Sequence, residues 1–188
     1  MYLRPKYVRR NLAVAEARNF LFELGLKYPP VDAKQVVKQL ARLFYFSNFD
    51  DDGFTIYDPD TGEYYVFINI DFPDARMNWT YAHEAGHIRI KHLLHYDCKN
   101  LTERERWILD READIFTAHF LMPKGWVKKY VTKPVTSFNE LAYLKGLFNV
   151  SYEALINRLD ELGIQKKEEL LPLANFSYQK NNGPRVLL

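Results

Sequence analysis

Apolar residues recur along this chain first at helical spacing, then at strand spacing, then at helical spacing again. Leu12, Ala15, Phe20, Leu21 and Leu24 predict a helix over about 12–26, with Gly25 as its stop. Tyr28-Pro29-Pro30 forces an extended link, after which Asp32 is placed to cap a second helix whose apolar face is Val36, Val37, Leu40 and Leu43. The period then shortens. Segments 43–46, 54–57 and 64–70 are rich in β-branched and aromatic residues, and the last two flank Asp58-Pro59-Asp60-Thr61-Gly62, which has the chemistry of a tight turn. These segments predict a small, mainly antiparallel sheet with a hairpin at its centre.

From about 76 to 92 the pattern is helical, with Trp79, Ala82 and Gly86 on one side. Thr102 and Glu105 form a T-x-x-E capping box that opens a third long helix, with Pro123 and Gly125 expected to close it. Ser137 and Glu140 repeat the signature, Gly146 is the expected break, and Ser151 caps a further helix ended by Gly163. The fold class expected is α+β: the sheet packed against the helix at 76–92 and the one opened at Thr102, followed by a helix-turn-helix-like lobe. The expected organisation is a catalytic unit over 1–123, a small helical lobe over 124–171 and a loosely ordered tail over 172–188.

Composition narrows the function. An apolar fraction of 47% in 188 residues is enough for a real core. With 26 basic and 24 acidic residues the net charge is +2, which gives no bulk attraction to nucleic acid or an acidic membrane. No apolar run is long enough for a membrane span or a signal peptide. The single cysteine, Cys98, rules out an internal disulfide or a two-thiolate zinc site, so the cytoplasm is the expected compartment. All five histidines fall between His83 and His119.

Two of them belong to His83-Glu84-Ala85-Gly86-His87, an HExxH pattern inside a segment that is independently helical. Positions four apart differ by ~40° around a helix, so His83 and His87 project from one face as two ligands of one ion must. Glu84, ~100° round, is placed to take a proton from a water at that ion. A glycine inside a helix costs ~1 kcal/mol, so Gly86 marks close packing or a bound group.

A catalytic zinc needs a third protein ligand. Glu112 shares a mostly apolar stripe with Ile108, Ile115 and His119, whereas Glu103, Glu105 and Asp110 sit among arginines and read as solvated. A carboxylate on an inner face calls for a cation: either zinc or an ion pair with Arg111 or Arg89. His92 and His95, at the end of the first motif helix, read as surface imidazoles, with a transition-state donor or a support to the metal ligands as the alternative. His119 is a candidate either to support the site or to be a satisfied core histidine. Asp50-Asp51-Asp52-Gly53 lacks the spacing of a calcium loop and reads as a solvated turn. A helix over 152–162 carries Glu153, Asp160 and Glu161 against Arg158 alone, which argues against direct DNA binding.

The run Trp79-Thr80-Tyr81-Ala82-His83-Glu84-Ala85-Gly86-His87, with Arg111-Glu112-Ala113-Asp114-Ile115-Phe116-Thr117-Ala118-His119-Phe120-Leu121-Met122-Pro123 later in the chain, resembles the ImmA/IrrE family of metallo-endopeptidases. The similarity extends from about 30 to 163; Trp79 and Tyr81 depart from the usual Phe and aliphatic residues without touching a ligand. The resemblance implies a Zn²⁺ cofactor held by His83, His87 and Glu112, with Glu84 as catalytic acid/base and Asp114 in supporting hydrogen bonding. It also implies a substrate: a helix-turn-helix transcriptional repressor encoded on a phage, mobile element or stress regulon. Two other readings are a zinc-stabilised module that sequesters the repressor uncut, and a DNA-binding regulator using the C-terminal lobe through Arg158. The strand over 64–70 is the expected edge for a substrate segment.

Overall fold

The structure is a computed structural model describing residues 2–181, with side chains through residue 174. Helix α1 (Arg10–Glu23) turns Ala13, Ala17, Phe20 and Leu21 inward, and Gly25 ends it at a positive φ of 65°. Helix α2 (Ala33–Leu40) begins where Asp32 accepts a bond from the Gln35 backbone N–H, as its side chain predicts.

Three strands follow: β1 (Arg42–Phe46), β2 (Gly53–Asp58) and β3 (Glu63–Asn69). The turn between β2 and β3 makes the expected antiparallel hairpin, but β3 inserts between the other two, and β1 pairs with it in parallel. The sheet is therefore mixed, and the α+β class stands. The reason lies in the link over 47–52, which crosses the end of β3 to carry the chain from one edge to the other. Asn69, fully buried, holds that crossing through Nδ2 bonds to the carbonyls of Phe49 (2.7 Å) and Asp51 (3.1 Å). A buried amide with its donors satisfied fixes a loop that has little apolar anchorage of its own.

Helix α3 (Asp74–Arg89) packs against β2, β3 and the long helix α5 (Glu103–Leu121). Between them stand a short helix α4 (His92–His95) and a 3-10 turn. The capping box at Thr102 and Glu105 is complete, each side chain bonding the other's backbone. Gly86 explains itself here: a Cβ on it would stand 3.0 Å from Phe116 Cδ1 and 3.4 Å from Ala113 Cα, so the glycine lets α3 and α5 close on each other. Phe116 and Phe120 stack at 5.4 Å, and Phe20 of α1 stacks on Phe120 at the same distance. These rings centre one buried cluster that runs from Ala13 to Leu170.

Four helices complete the described chain: α6 (Lys124–Tyr130), α7 (Phe138–Phe148), α8 (Tyr152–Glu161) and α9 (Lys167–Asn181). Ser137 and Ser151 cap α7 and α8 as expected. Two glycines expected as stops are not. Gly125 lies inside α6, because Pro123 ends α5 and at once opens the next helix; Gly146 lies inside α7, which ends instead at Asn149 in the left-handed region (φ 51°). Residues 182–188 of the expected tail lie outside the described residues, while 172–181 continue α9. Among the described residues, no helix is long and apolar enough to cross a membrane.

Candidate metal centre

Helix α3 presents His83 and His87 one turn apart, with their Nε2 atoms 3.1 Å from each other. Helix α5 runs alongside and brings two carboxylates four residues apart to the same place. Asp114 Oδ1 is 3.1 Å from His83 Nδ1, and Asp110 Oδ1 is 3.6 Å from His87 Nε2. Ligand atoms of His83, His87 and Asp110 all lie within 4.8 Å of one another, a grouping able to hold an ion. Two imidazoles and a carboxylate are a donor set that zinc takes, and nitrogens at ~2.0–2.1 Å from a tetrahedral centre stand ~3.3 Å apart, near the separation found. Asp114 can accept the Nδ1–H of His83, leaving that ring's Nε2 lone pair for a metal.

Glu84 is nearly buried, and its Oε2 accepts a 2.7 Å bond from Thr55 Oγ1 on β2. Burial pushes its carboxyl up, against the pull of His83 and Thr55. Burial works the other way on His83, but the Asp114 bond and the carboxylates of Glu84, Asp114 and Asp110 outweigh it and raise its pKa. Burial beside His83 and His92 holds His87 well below the usual imidazole range, so it is neutral.

Glu112 faces inward, as its apolar stripe predicts, and is 1% exposed. Its cation is Arg9, a partner that the sequence reading did not weigh. The Arg9 backbone N–H donates to Oε1 (2.6 Å), Nε to Oε1 (3.0 Å) and Nη2 to Oε2 (2.7 Å). His92 Nε2 stands 3.0 Å from Oε2. Burial alone would raise the Glu112 carboxyl, but the bonds from His92 and Arg9 bring it down to about 2. The structure thus places Glu112 behind the histidine pair, two residues from Asp110 and so on a different side of α5. His92, expected at the surface, is fully buried, with its Nδ1 3.0 Å from His87 Nδ1.

His119 is not brought to this centre either. Its Nε2 is 3.1 Å from Arg158 Nη1 and 3.8 Å from Glu161 Oε1, tying α5 to α8. Arg158 is 1% exposed; it also donates to Met122 O (2.9 Å) and Glu161 Oε2 (2.6 Å). The guanidinium of Arg158 is thus buried and paired with a carboxylate rather than presented to solvent.

The histidine pair, Glu84 and Asp110 open into a cavity of about 450 Å³, also lined by Trp79, Arg106 and residues 52–55. A second cleft of about 940 Å³ shares Asp52, Trp79 and Asp114 with it and continues toward α8. The strand beside the cavity is β2, not β3: the latter is paired on both sides, whereas β2 is an edge strand among the described residues.

Comparison with known proteins places the fold. The sequence profile of the peptidase M78 family, described as the IrrE N-terminal-like domain, matches residues 41–160. Among solved structures, a Mycobacterium tuberculosis transcriptional regulator is similar at a TM-score of 0.56 and 17% identity. That match covers 82% of this chain and 48% of the regulator, so the chain spans about half its length. No curated protein sequence matches.

Proposed function

This chain belongs to the family of IrrE N-terminal-like domains, the M78 peptidases, and from that membership we propose that it is a zinc-dependent endopeptidase of the cytoplasm. The observation that carries the proposal is the meeting of His83, His87 and Asp110 beside a buried Glu84 at the floor of an open cavity. We assign His83, His87 and Asp110 as the zinc ligands in place of the Glu112 set, because the oxygens of Glu112 are taken by Arg9 and His92. When bound, zinc supplies Lewis-acid polarisation of a carbonyl and lowers the pKa of a water to ~7.

The chain's own residues do the rest. Asp114 keeps His83 in the tautomer that offers Nε2. Glu84, steadied at Oε2 by Thr55, takes the proton of the attacking water and returns it to the leaving amine. The free edge of β2 accepts an extended substrate segment by strand addition, delivering the scissile bond to the cavity that Thr55 and Glu84 share. The substrate is a helix-turn-helix transcriptional repressor, as the resemblance of the two motif helices to the ImmA/IrrE endopeptidases implies.

The test pairs the purified chain with the repressor encoded beside it. Native protein cuts the repressor; Glu84→Gln retains about one zinc per chain and leaves the repressor whole. Cleavage by Glu84→Gln at the native rate overturns the mechanism, and repressor binding without any cleavage by the native chain replaces it with sequestration.

A further inference from the structure

Behind the candidate metal centre, buried Glu112 and His92 link the partly exposed Arg9 to His87, and the proposed chemistry uses none of the three groups behind that histidine. Arg9, at the start of α1, reaches Glu112 on α5 with three N–H donors; Glu112 meets His92 Nε2; and His92 Nδ1 meets His87 Nδ1. Arg9 is a set of donors with no acceptor among them, so Glu112 is acceptor-only and takes the proton of His92 Nε2. A neutral His92 then has a lone pair on Nδ1, which accepts the Nδ1–H of His87. His87 is left with its lone pair on Nε2, the atom 3.1 Å from His83 Nε2 and 3.6 Å from Asp110. Each step fixes the next, and the direction is set at the arginine.

We propose that Glu112 and His92 are positioning residues which hold His87 as the Nδ1–H tautomer, so that its Nε2 faces the metal site, with Arg9 setting the direction. The inference rests on the metal centre proposed above. Glu112, expected from the sequence as a ligand, thereby acts on the metal through two imidazoles. The 103-residue span from Arg9 to Glu112 means that the N-terminal segment is part of the centre. That segment is also pinned where Leu3 N bonds the carbonyl of His95, the last residue of α4, at 2.8 Å.

Substitution at Glu112 reverses the relay. In Glu112→Gln the amide oxygen, in the Oε1 place, keeps the Arg9 backbone N–H and Nε, while the amide N–H₂, in the Oε2 place, displaces Arg9 Nη2 and faces His92, so His92 carries its proton on Nδ1 and His87 carries its own on Nε2. The test uses the full chain with ¹⁵N-labelled histidine. Long-range ¹H–¹⁵N correlation on metal-free protein reads which nitrogen of each ring is protonated, and a chelator competition with Zn²⁺ reads affinity. The native chain shows His87 Nδ1–H and His92 Nε2–H; Glu112→Gln shows both exchanged and binds zinc ~10–100-fold more weakly. His92→Phe loses affinity to the same degree, and His92→Gln, whose amide both donates and accepts, recovers part of it. Native His87 protonated on Nε2, or tautomers unmoved in Glu112→Gln, overturns the proposal, as does native zinc affinity in folded His92→Phe. A ligand role for Glu112 would weaken zinc without moving the tautomers of the metal-free chain. If native protein binds no zinc, the proposed function fails while the tautomer result still decides the relay.

Discussion

Thr55 Oγ1 donates a 2.7 Å hydrogen bond to Glu84 Oε2, joining the middle of an edge strand to the acidic residue of the HExxH helix. The strand proposed to receive substrate and the group proposed to move the proton are therefore directly bonded. Thr55→Val preserves shape and β propensity while removing the donor. The expected outcome is a fall in kcat of about tenfold, or ~1.4 kcal/mol, within the range of a hydrogen bond to a charged group. KM and zinc content stay near native, since no ligand is touched. Steady-state cleavage assays with zinc analysis check it, and an unchanged kcat removes Thr55 from the mechanism.

Gly86 and Gly146 both lie inside helices, yet alanine should act on them in opposite directions. At Gly86 the new methyl meets Phe116, itself fully buried between Phe20 and Phe120, and the backbone of Ala113. Neither neighbour can yield, so overpacking of ~1–3 kcal/mol exceeds the ~1 kcal/mol gained in helix propensity. At Gly146 nothing lies within 4 Å of the added atom, and only the propensity gain remains. Urea denaturation should rank Gly146→Ala above native and Gly86→Ala below it.

Glu161 joins α8 to α5 and α1. The nearby His119 imidazole and the bonds from Arg10 and Arg158 hold its carboxyl well below the usual carboxylate range, against the opposing effect of burial. A folded-state pKa lowered below the unfolded one, ~4.3, gives stability that is complete above that value and fades as pH falls through and below it. Glu161→Gln, which also leaves the buried Arg158 without its charge partner, should cost ~2–4 kcal/mol at pH 7. The gap between native and variant should narrow as pH drops below ~4. A gap that stays constant from pH 7 to pH 3 contradicts the assignment.

How much of this the sequence disclosed depended on how far apart the interacting residues lie. Caps at Asp32, Thr102, Ser137 and Ser151 act within one turn, and each is where local chemistry places it. Spacing four apart put His83 and His87 together. The same periodicity correctly turned Glu112 inward but gave no sign of its partner, because Arg9 comes from 103 residues away. The surface reading of His92 fails for a related reason, leaving its alternative as a support to the ligands: Lys91 adopts the left-handed region (φ 63°), and the chain turns back beneath α3 instead of fraying. A four-residue comparison along α5 was available, however. Asp110 and Asp114 share a face just as His83 and His87 do, and that spacing is the sequence signal for the ligand set proposed here. The parallel pairing of β1 was hidden too, since strand order is set by a loop crossing that no period reveals.

Zinc-edge anomalous diffraction from crystals of the native chain tests the central claim most directly. The account predicts one zinc peak in contact with His83 Nε2, His87 Nε2 and the Asp110 carboxylate, with Glu112 still held by Arg9 and His92. A peak on the Glu112 carboxylate, or a zinc-soaked crystal with no peak at the histidine pair, contradicts it.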